Sequence, residues 1–384
     1  MSSNTLAAYD PIFYAQEALM ALEKALGMAG RVYRGYDRSP GQIGKVTSIR
    51  KPSTFTAQNA PGSDMDIDAG EVQITLDQWK EVKFALTDQE LAWTGERIVD
   101  EHIRPAAYAL ADAIDQALAA QYVYIPWYHE NASPTDATDI TGARKVLFNN
   151  AVPLDDPNMV HLMVDGDKEA DFLGLNIFHS AATTGGNNEA ALMRGSLGTR
   201  FGMECFANQN VPTHTEGTAS TTTLAVATTT AALKGATSMD IDAGSVTGTL
   251  VPGDTFIIAG NTQRYAVTGT FTASTNVFSA VTFSPALVAD AAEDAVITLN
   301  QSTHTANIGF HRNAFALATA PLSEMGNNVG ASIATVADPI TRLSLRSRIW
   351  YDGDNSTVKV GLDVLYGIKC LDPNMAVILR SNIT

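Results

Sequence analysis

Cysteine is nearly absent from this sequence: 384 residues contain two, Cys205 and Cys370, and no CxxC pair. A disulfide framework and a cysteine-based zinc site are both unsupported, and a reducing cytoplasm fits such a chain. Charged residues are also sparse, at 17% against 45% hydrophobic, the balance of a folded chain rather than a disordered one. Positive charge is scarcer still. With 25 Lys and Arg against 41 Asp and Glu the net charge is −16, which disfavours a dedicated nucleic-acid binder, because neutralising phosphates takes clustered basic residues. No run reaches the roughly 20 apolar residues of a membrane span, so no membrane partner is expected. The opening MSSNTLAAYDPIFYAQEALM has no basic start, unbroken apolar stretch or small-residue cleavage site, and the expectation is a mature chain beginning at Met1.

Enzyme signatures are missing as well. There is no GxxxxGK(S/T), no GxGxxG after a strand, no HExxH and no GxSxG, and His129-Glu130 lacks a second histidine at the required spacing. No catalytic residue, cofactor or metal ligand is assigned. The pairs Asp155-Asp156 and Asp165-x-Asp167 suit acid–base work, but their place beside strand and proline signals suits turn chemistry equally. A carbohydrate-acting enzyme built on them needs a pocket with Trp127 or Trp350 beside two carboxylates.

The hexapeptide MDIDAG occurs twice, at 65–70 and 239–244. A calcium loop of the EF-hand type needs oxygen ligands at positions 1, 3 and 5, Gly at 6 and an acid at 12. Counted from Asp64, position 6 is Ala69 and position 12 is Thr75, so turn or strand-entry chemistry is the better reading.

What is present is an ordered series of segments. Asp10-Pro11 caps a short helix whose face carries Phe13, Leu19, Met20, Leu22 and Leu26 before Gly27 and Gly30 end it. It must find an apolar partner in its own domain or on a neighbouring subunit. Residues 31–58 hold Arg31, Arg34, Arg38, Lys45, Arg50 and Lys51 against one acid, Asp37, a reversal of sign within an acidic chain. GKVTSIRKP and TFTAQ read as strand, NAPGSDMDIDAG as turn and EVQITLDQWKEVKFAL as a second strand, together a long two-stranded excursion that is marginal unless it lies on something. From Gly95 to about Tyr122, Ile98, Ile103, Ala106, Leu110, Ile114 and Leu118 mark one helical face, while Asp100, Glu101, Arg104, Asp112, Asp115 and Gln116 mark the other. Pro105 either kinks this rod or starts it. Residues 133–215 read as mixed α and β: DITGARKVLFNN and NNEAALMRGSLG helical, VHLMVDG and FGMECFANQNVP strand. From 216 to 303 the composition turns to Thr, Ala, Val and Gly, with short apolar runs such as DTFIIAG, QRYAVTG and DAVITLN, the pattern of a small all-β barrel or sandwich. NIGFHRNAFALATAPL returns to the mixed pattern, and ITRLSLRSRIWYD and TVKVGLDVLYGIK then form a hairpin about DGDNS.

This order resembles a major capsid protein of a tailed bacteriophage with the HK97-type fold, and within that class it is similar to the coat protein family of phage P22. The resemblance is carried by AQEALMALEKALGMAGRVYRGYD, KVTSIRKPSTFTAQ, VQITLDQWKEVKFALTDQEL, GERIVDEHIRPAAYALADAIDQALAAQY, FANQNVPTHTEGT, GDTFIIAGNTQRYAVTG, FHRNAFALATAPL and SRIWYDGDNSTVKVGLDVLYGIKCLDPNMAVILR, nearly the whole chain. It implies an α+β class with an N-terminal arm at 1–38, an extended E-loop at 39–92 and a peripheral domain with its spine helix at 93–132. It further implies an axial domain at 133–215, an inserted β-barrel at 216–303, and returning axial and peripheral strands at 304–384. On this reading the first MDIDAG is the acidic turn of the E-loop and the second a strand entry in the insertion.

The function implied is a non-enzymatic structural protein that self-assembles, as hexamers and pentamers, into the icosahedral head around a double-stranded DNA genome. It would assemble in the host bacterial cytoplasm and reside in the virion. Expected partners are further copies of the chain, a separate scaffolding protein, a portal and a possible decoration protein, with packaged DNA touched only non-specifically. Arg31, Arg34, Arg38, Lys45, Arg50, Lys51, Asp155, Asp156, Asp165 and Asp167 are expected at subunit interfaces, where Arg50 and Lys51 meet acidic groups around Asp155, Asp156, Asp165 or Asp167, with hairpin and terminal helix lying on neighbours. A tail or baseplate component is the alternative.

Overall fold

The computed structural model describes residues 11–35, 46–50, 59–60, 71–87, 102–130, 136–179, 195–227, 232–324, 331–337 and 343–381. It is a mixed α+β protein of two units, one built from Met1–Asp115 with Ala316–Leu371, the other from Gln116–Phe315 with Asp372–Thr384.

The first unit is organised by a sheet in which Thr357–Cys370 lies between Phe315–Ala320 and Ser344–Asp352, with Ala331–Ala337 beyond and Gln78–Thr87 paired to Thr357–Cys370. The hairpin expected about DGDNS is present, with Asp352 opposite Thr357. Its rungs sort by chemistry. Val82 faces Leu362, Phe84 faces Val360 and Leu86 faces Val358, whereas the intervening rungs carry Glu81, Asp363 and Arg346, and Lys83, Gly361 and Arg348. Alternation along a strand sends these two sets to opposite faces of the sheet.

The segment EVQITLDQWKEVKFAL is two strands, not one. Glu71–Thr75 pairs with Val46–Arg50, whereas Gln78–Thr87 pairs with Thr357–Cys370, and the change of partner requires the break at Leu76-Asp77. The base of the two-stranded excursion is also anchored in its own unit: Ile74 and Leu76 are buried with Ala316, Ala318 and Ala320. Gly367 allows this approach, since a Cβ there would stand 2.2 Å from the Thr75 carbonyl oxygen. Residues 51–58 and the first MDIDAG lie outside the described residues.

The terminal helix spans Pro11–Ala25 and packs on the strands Ala331–Ala337 and Ser344–Asp352 of the same unit. Its buried stripe is Tyr14, Ala15, Ala18, Leu19, Ala21 and Leu22, while Met20 is half exposed, so of the two partners the sequence left open the helix uses its own unit. The long helix runs Arg104–Ala119 and continues as a 3-10 turn through Tyr124. Pro105 is the second residue of this α-helix, after the π-helical His102-Ile103, and sits in its first turn. Ile103, Ala106, Leu110, Ile114 and Leu118 are buried as the periodicity requires.

In the second unit, the strands run in the order Tyr128–His129, Ala376–Ser381, His304–His311, Val160–Val164, Met203–Ala207 and Gly198–Arg200, with Thr213–His214 also on His304–His311. The helices Thr138–Asn149 and Gly166–Gly174 cover it, contributing Ile140, Leu147 and Phe172 to a core shared with Leu162, Val377 and Leu379.

Six further strands close a barrel in the order Ser238–Asp242, Val277–Ser284, Arg264–Val267, Thr255–Ile258, Val296–Asn300 and Thr223–Val226. Closure removes exposed edges, which suits a segment of short Thr-rich strands. Phe256, Tyr265 and Phe283 form its aromatic centre, with ring centroids 5.4–5.7 Å apart. The second MDIDAG enters this barrel as a strand, Met239 and Ile241 pointing inward.

Candidate functional site

The charges singled out in the sequence occupy both units. Arg31 donates through Nη1 to the Gly27 carbonyl at 2.9 Å, in the turn that follows the terminal helix, and Arg34 is half-buried. The backbone register sets Arg50 opposite Glu71. Arg38, Lys45 and Lys51 lie outside the described residues. Of the acids, Asp155 and Asp156 are exposed. Asp156 caps a 3-10 turn by accepting from the Asn158 N–H at 2.9 Å, and Asp165 caps the helix Gly166–Gly174 by accepting from the Lys168 N–H at 3.2 Å. Burial holds the Asp165 carboxyl above the usual carboxylate range. Asp167 sits exposed in the first turn of that helix, where a negative charge meets the positive end of the dipole.

Sequence reasoning missed the chain's buried polar groups. Asp115, which helical periodicity assigns to the outer face, is 3% exposed. Its carboxylate accepts the N–H groups of Gly27 at 2.6 Å, Met28 at 3.3 Å and Ala29 at 2.9 Å, satisfying the backbone just past the terminal helix. The signal was a carboxylate within the AIDQAL run, at the edge of the apolar stripe.

A second buried network joins barrel and sheet within the second unit. Asp254 is fully buried and receives His214 Nε2 at 3.3 Å, Gln301 Nε2 at 2.9 Å and the Val251 N–H at 3.0 Å. The His214 and His304 rings lie 5.0 Å apart, and His304 Nδ1 meets the Ser302 carbonyl at 2.7 Å. Burial, reinforced by the nearby Arg380 cation, pushes His304 down to about 3, so its ring is neutral. Arg380 itself reaches Ser302 Oγ at 3.1 Å, Asn300 Oδ1 and Glu130 at 3.3 Å. The barrel is thus tied to the sheet by paired charge and shared hydrogen bonds, which fix orientation more than they add stability.

An open cleft of about 570 Å³ lies beside this junction, between the barrel turn at Thr262–Arg264 and the end of the helix Thr138–Asn149. Trp127 and Tyr128 line it with amides from Asn149, Asn150, Gln263 and Asn374, and its lining holds no carboxylate. The enzyme reading required two carboxylates beside Trp127, and this cleft does not supply them. Trp350 instead lies on the polar sheet face, with Arg348 5.5 Å and Lys83 5.8 Å from its ring.

No protein-family model matches the sequence, and no curated protein matches it. Among solved structures the chain is similar to one from Mycobacterium phage Che8, at 16% identity and a TM-score of 0.52, covering 92% of this chain and 90% of that one. It is also similar to the capsid structure of cyanophage P-SCSP1u, at 12% identity, 91% and 86% coverage and a TM-score of 0.48. A third match is the asymmetric unit of the bacteriophage PhiM1 mature capsid, at 12% identity, 89% and 83% coverage and a TM-score of 0.44. The chain has the fold of the Che8 phage structure.

Proposed function

We propose that this chain is the major capsid protein of a tailed bacteriophage, a structural protein that assembles with copies of itself into an icosahedral head around double-stranded DNA. The observation that carries the reading is a fold shared with the Che8 phage structure over nine-tenths of both chains. The HK97-type order of segments in the sequence supports it independently. Nothing in the fold favours the tail or baseplate alternative.

In this reading residues 1–38 form the arm, 39–92 the E-loop, 93–132 the spine, 133–215 the axial domain, 216–303 the inserted barrel and 304–384 the returning strands. The barrel orients a surface on each subunit, held by the Asp254 and Arg380 network. Arg31, Arg34, Arg38 and Lys45 lie at subunit interfaces, and Arg50 and Lys51 of one copy face acids around Asp155, Asp156, Asp165 or Asp167 of another, a pairing that fixes register more than it adds affinity. A separate scaffolding protein and a portal complete the assembly in the host cytoplasm, and the product is the virion.

The test is negative-stain microscopy with sedimentation on the chain expressed alone and with its neighbouring open reading frames. Closed shells tens of nanometres across are expected. Tubes or rings would favour the tail alternative, and a chain that stays monomeric in both expressions would overturn the capsid reading.

A further inference from the structure

Arg264 has no counterion among the described residues. Its guanidinium carbon lies 4.2 Å from the centre of the Tyr128 ring, and that of Arg380 lies 3.6 Å from the same centre. Both guanidinium groups therefore lie against the one Tyr128 ring. Arg380 is paired with Glu130 at 3.3 Å. Arg264, by contrast, makes no ion pair and no side-chain hydrogen bond among the described residues.

The surroundings hold this cation in place. It lines the open cleft, half-buried, at the first residue of a barrel strand. The cleft floor is internally satisfied: Trp127 Nε1 donates to Asn374 Oδ1 at 2.8 Å and Gln263 Nε2 donates to the same oxygen at 3.0 Å. A guanidinium offers five N–H donors in a planar fork matched to a carboxylate. A half-buried fork held against an aromatic ring, with no protein acceptor among the described residues, leaves its N–H donors available to an incoming carboxylate.

We propose that this cleft receives a carboxylate-bearing loop from a second copy of the chain. The proposal rests on the shell reading, in which copies are the partner present in excess, and on charge complementarity. The chain carries 41 acidic against 25 basic residues, and exposed carboxylates such as Asp155, Glu293 and Asp354 stand on its loops. The Tyr128 face behind Arg264 holds the fork in its receiving orientation, so less side-chain entropy is lost on docking. A neighbouring subunit would thereby read the barrel turn and the sheet edge together.

The test places a benzophenone photo-crosslinking residue at the exposed Thr262 of the full chain, with irradiation of the assembled or concentrated protein and mass spectrometry of the adduct. Expected is a cross-linked pair of copies joined through a peptide bearing an exposed Asp or Glu. Its yield should fall about tenfold in Arg264→Glu and less in Arg264→Gln, with unfolding midpoints unchanged. Cross-links confined to one copy, a yield indifferent to Arg264→Glu, or an adduct of low molecular mass in place of a second copy would overturn the proposal. Shells without this cross-link would leave the capsid reading standing and remove the docking site; cross-linked pairs without shells would do the reverse.

Discussion

Arg346 and Asp363 stand directly opposite one another on adjacent strands and are joined by two hydrogen bonds, Nε to Oδ1 at 3.0 Å and Nη2 to Oδ2 at 2.6 Å. Asp363 is fully buried, and it also accepts from Trp79 Nε1 at 3.1 Å and lies 3.3 Å from Arg348 Nη2. Three strands therefore converge on one carboxylate. Asp363→Ala leaves the Arg346 cation without its partner, and removing one member of a buried pair costs about 3–5 kcal/mol. The double variant Arg346→Met, Asp363→Leu should recover more than half of that loss, because it removes the desolvation penalty along with the pair. Urea denaturation of the unassembled chain measures both; a single variant within 1 kcal/mol of wild type, roughly the value of an exposed pair, would contradict the argument.

Asp115 makes a second prediction possible. Three backbone N–H groups past the terminal helix depend on its carboxylate. Asp115→Ala should cost about 2–4 kcal/mol by leaving those donors unsatisfied, and Asp115→Asn somewhat less. The local consequence is release of the segment after Ala25, read as faster limited proteolysis around Gly27–Arg31. Unchanged cleavage there would show that other contacts hold the helix.

His304 sets a pH dependence. Its folded value is lowered to about 3 from an ordinary 6.5, so the unfolded chain binds a proton that the folded chain refuses. Stability from this group is complete above about pH 6.5 and falls as pH drops toward 3, by about 1.4 kcal/mol per pH unit at most. His311, lowered by burial, acts in the same direction. Denaturation midpoints at pH 7.5, 6 and 5 should decline, and His304→Asn should flatten that decline relative to wild type. Equal slopes in the two proteins would assign the acid sensitivity to other groups.

The barrel core gives a fourth. Tyr265 is buried, and its hydroxyl accepts from Asn261 Nδ2 at 2.7 Å. Tyr265→Phe removes that bond and the longer one from the Val288 N–H at 3.4 Å while keeping the ring, a cost of about 1–2 kcal/mol. Phe256→Ala opens a cavity in the aromatic centre and should cost about 3–5 kcal/mol. The ratio between the two, read from chemical denaturation, separates packing from hydrogen bonding in this barrel.

The sequence made some of this architecture legible because periodicity reports burial locally. Ile103, Leu110 and Ile114 announced a helix face, the DGDNS turn announced the hairpin, and the short apolar runs after Glu216 announced the strands of a small barrel or sandwich. What periodicity cannot report is a polar group buried by partners distant in sequence. Asp115 fell on the wrong side of the helix because its acceptors serve residues 86 to 88 positions away. Arg380 and Asp254 were not singled out at all, although each is buried through bonds to several elements. Arg264 gave no signal at all, since only the fold brings it against Tyr128.

The last prediction concerns the basic excursion. Its base is anchored by Ile74 and Leu76, so the strands Val46–Arg50 and Glu71–Thr75 have a fixed origin in the first unit and a register that places Arg50 opposite Glu71. On the proposed shell reading, a two-stranded ribbon carrying a run of positive charge in a chain of net charge −16 meets acidic surface on another copy. Reversing Arg50 and Lys51 together to Glu should leave the folding of the unassembled chain within about 0.5 kcal/mol of wild type, as expected for surface changes. Shell assembly should fall at least tenfold, because like charges juxtaposed at an interface oppose association by several kcal/mol. Raising the salt concentration should narrow the gap between variant and wild type, since exposed charges are screened within about 8 Å at physiological ionic strength. Light scattering of assembly reactions at two salt concentrations measures both effects, and normal shells from the double variant would place the ribbon outside the subunit contact.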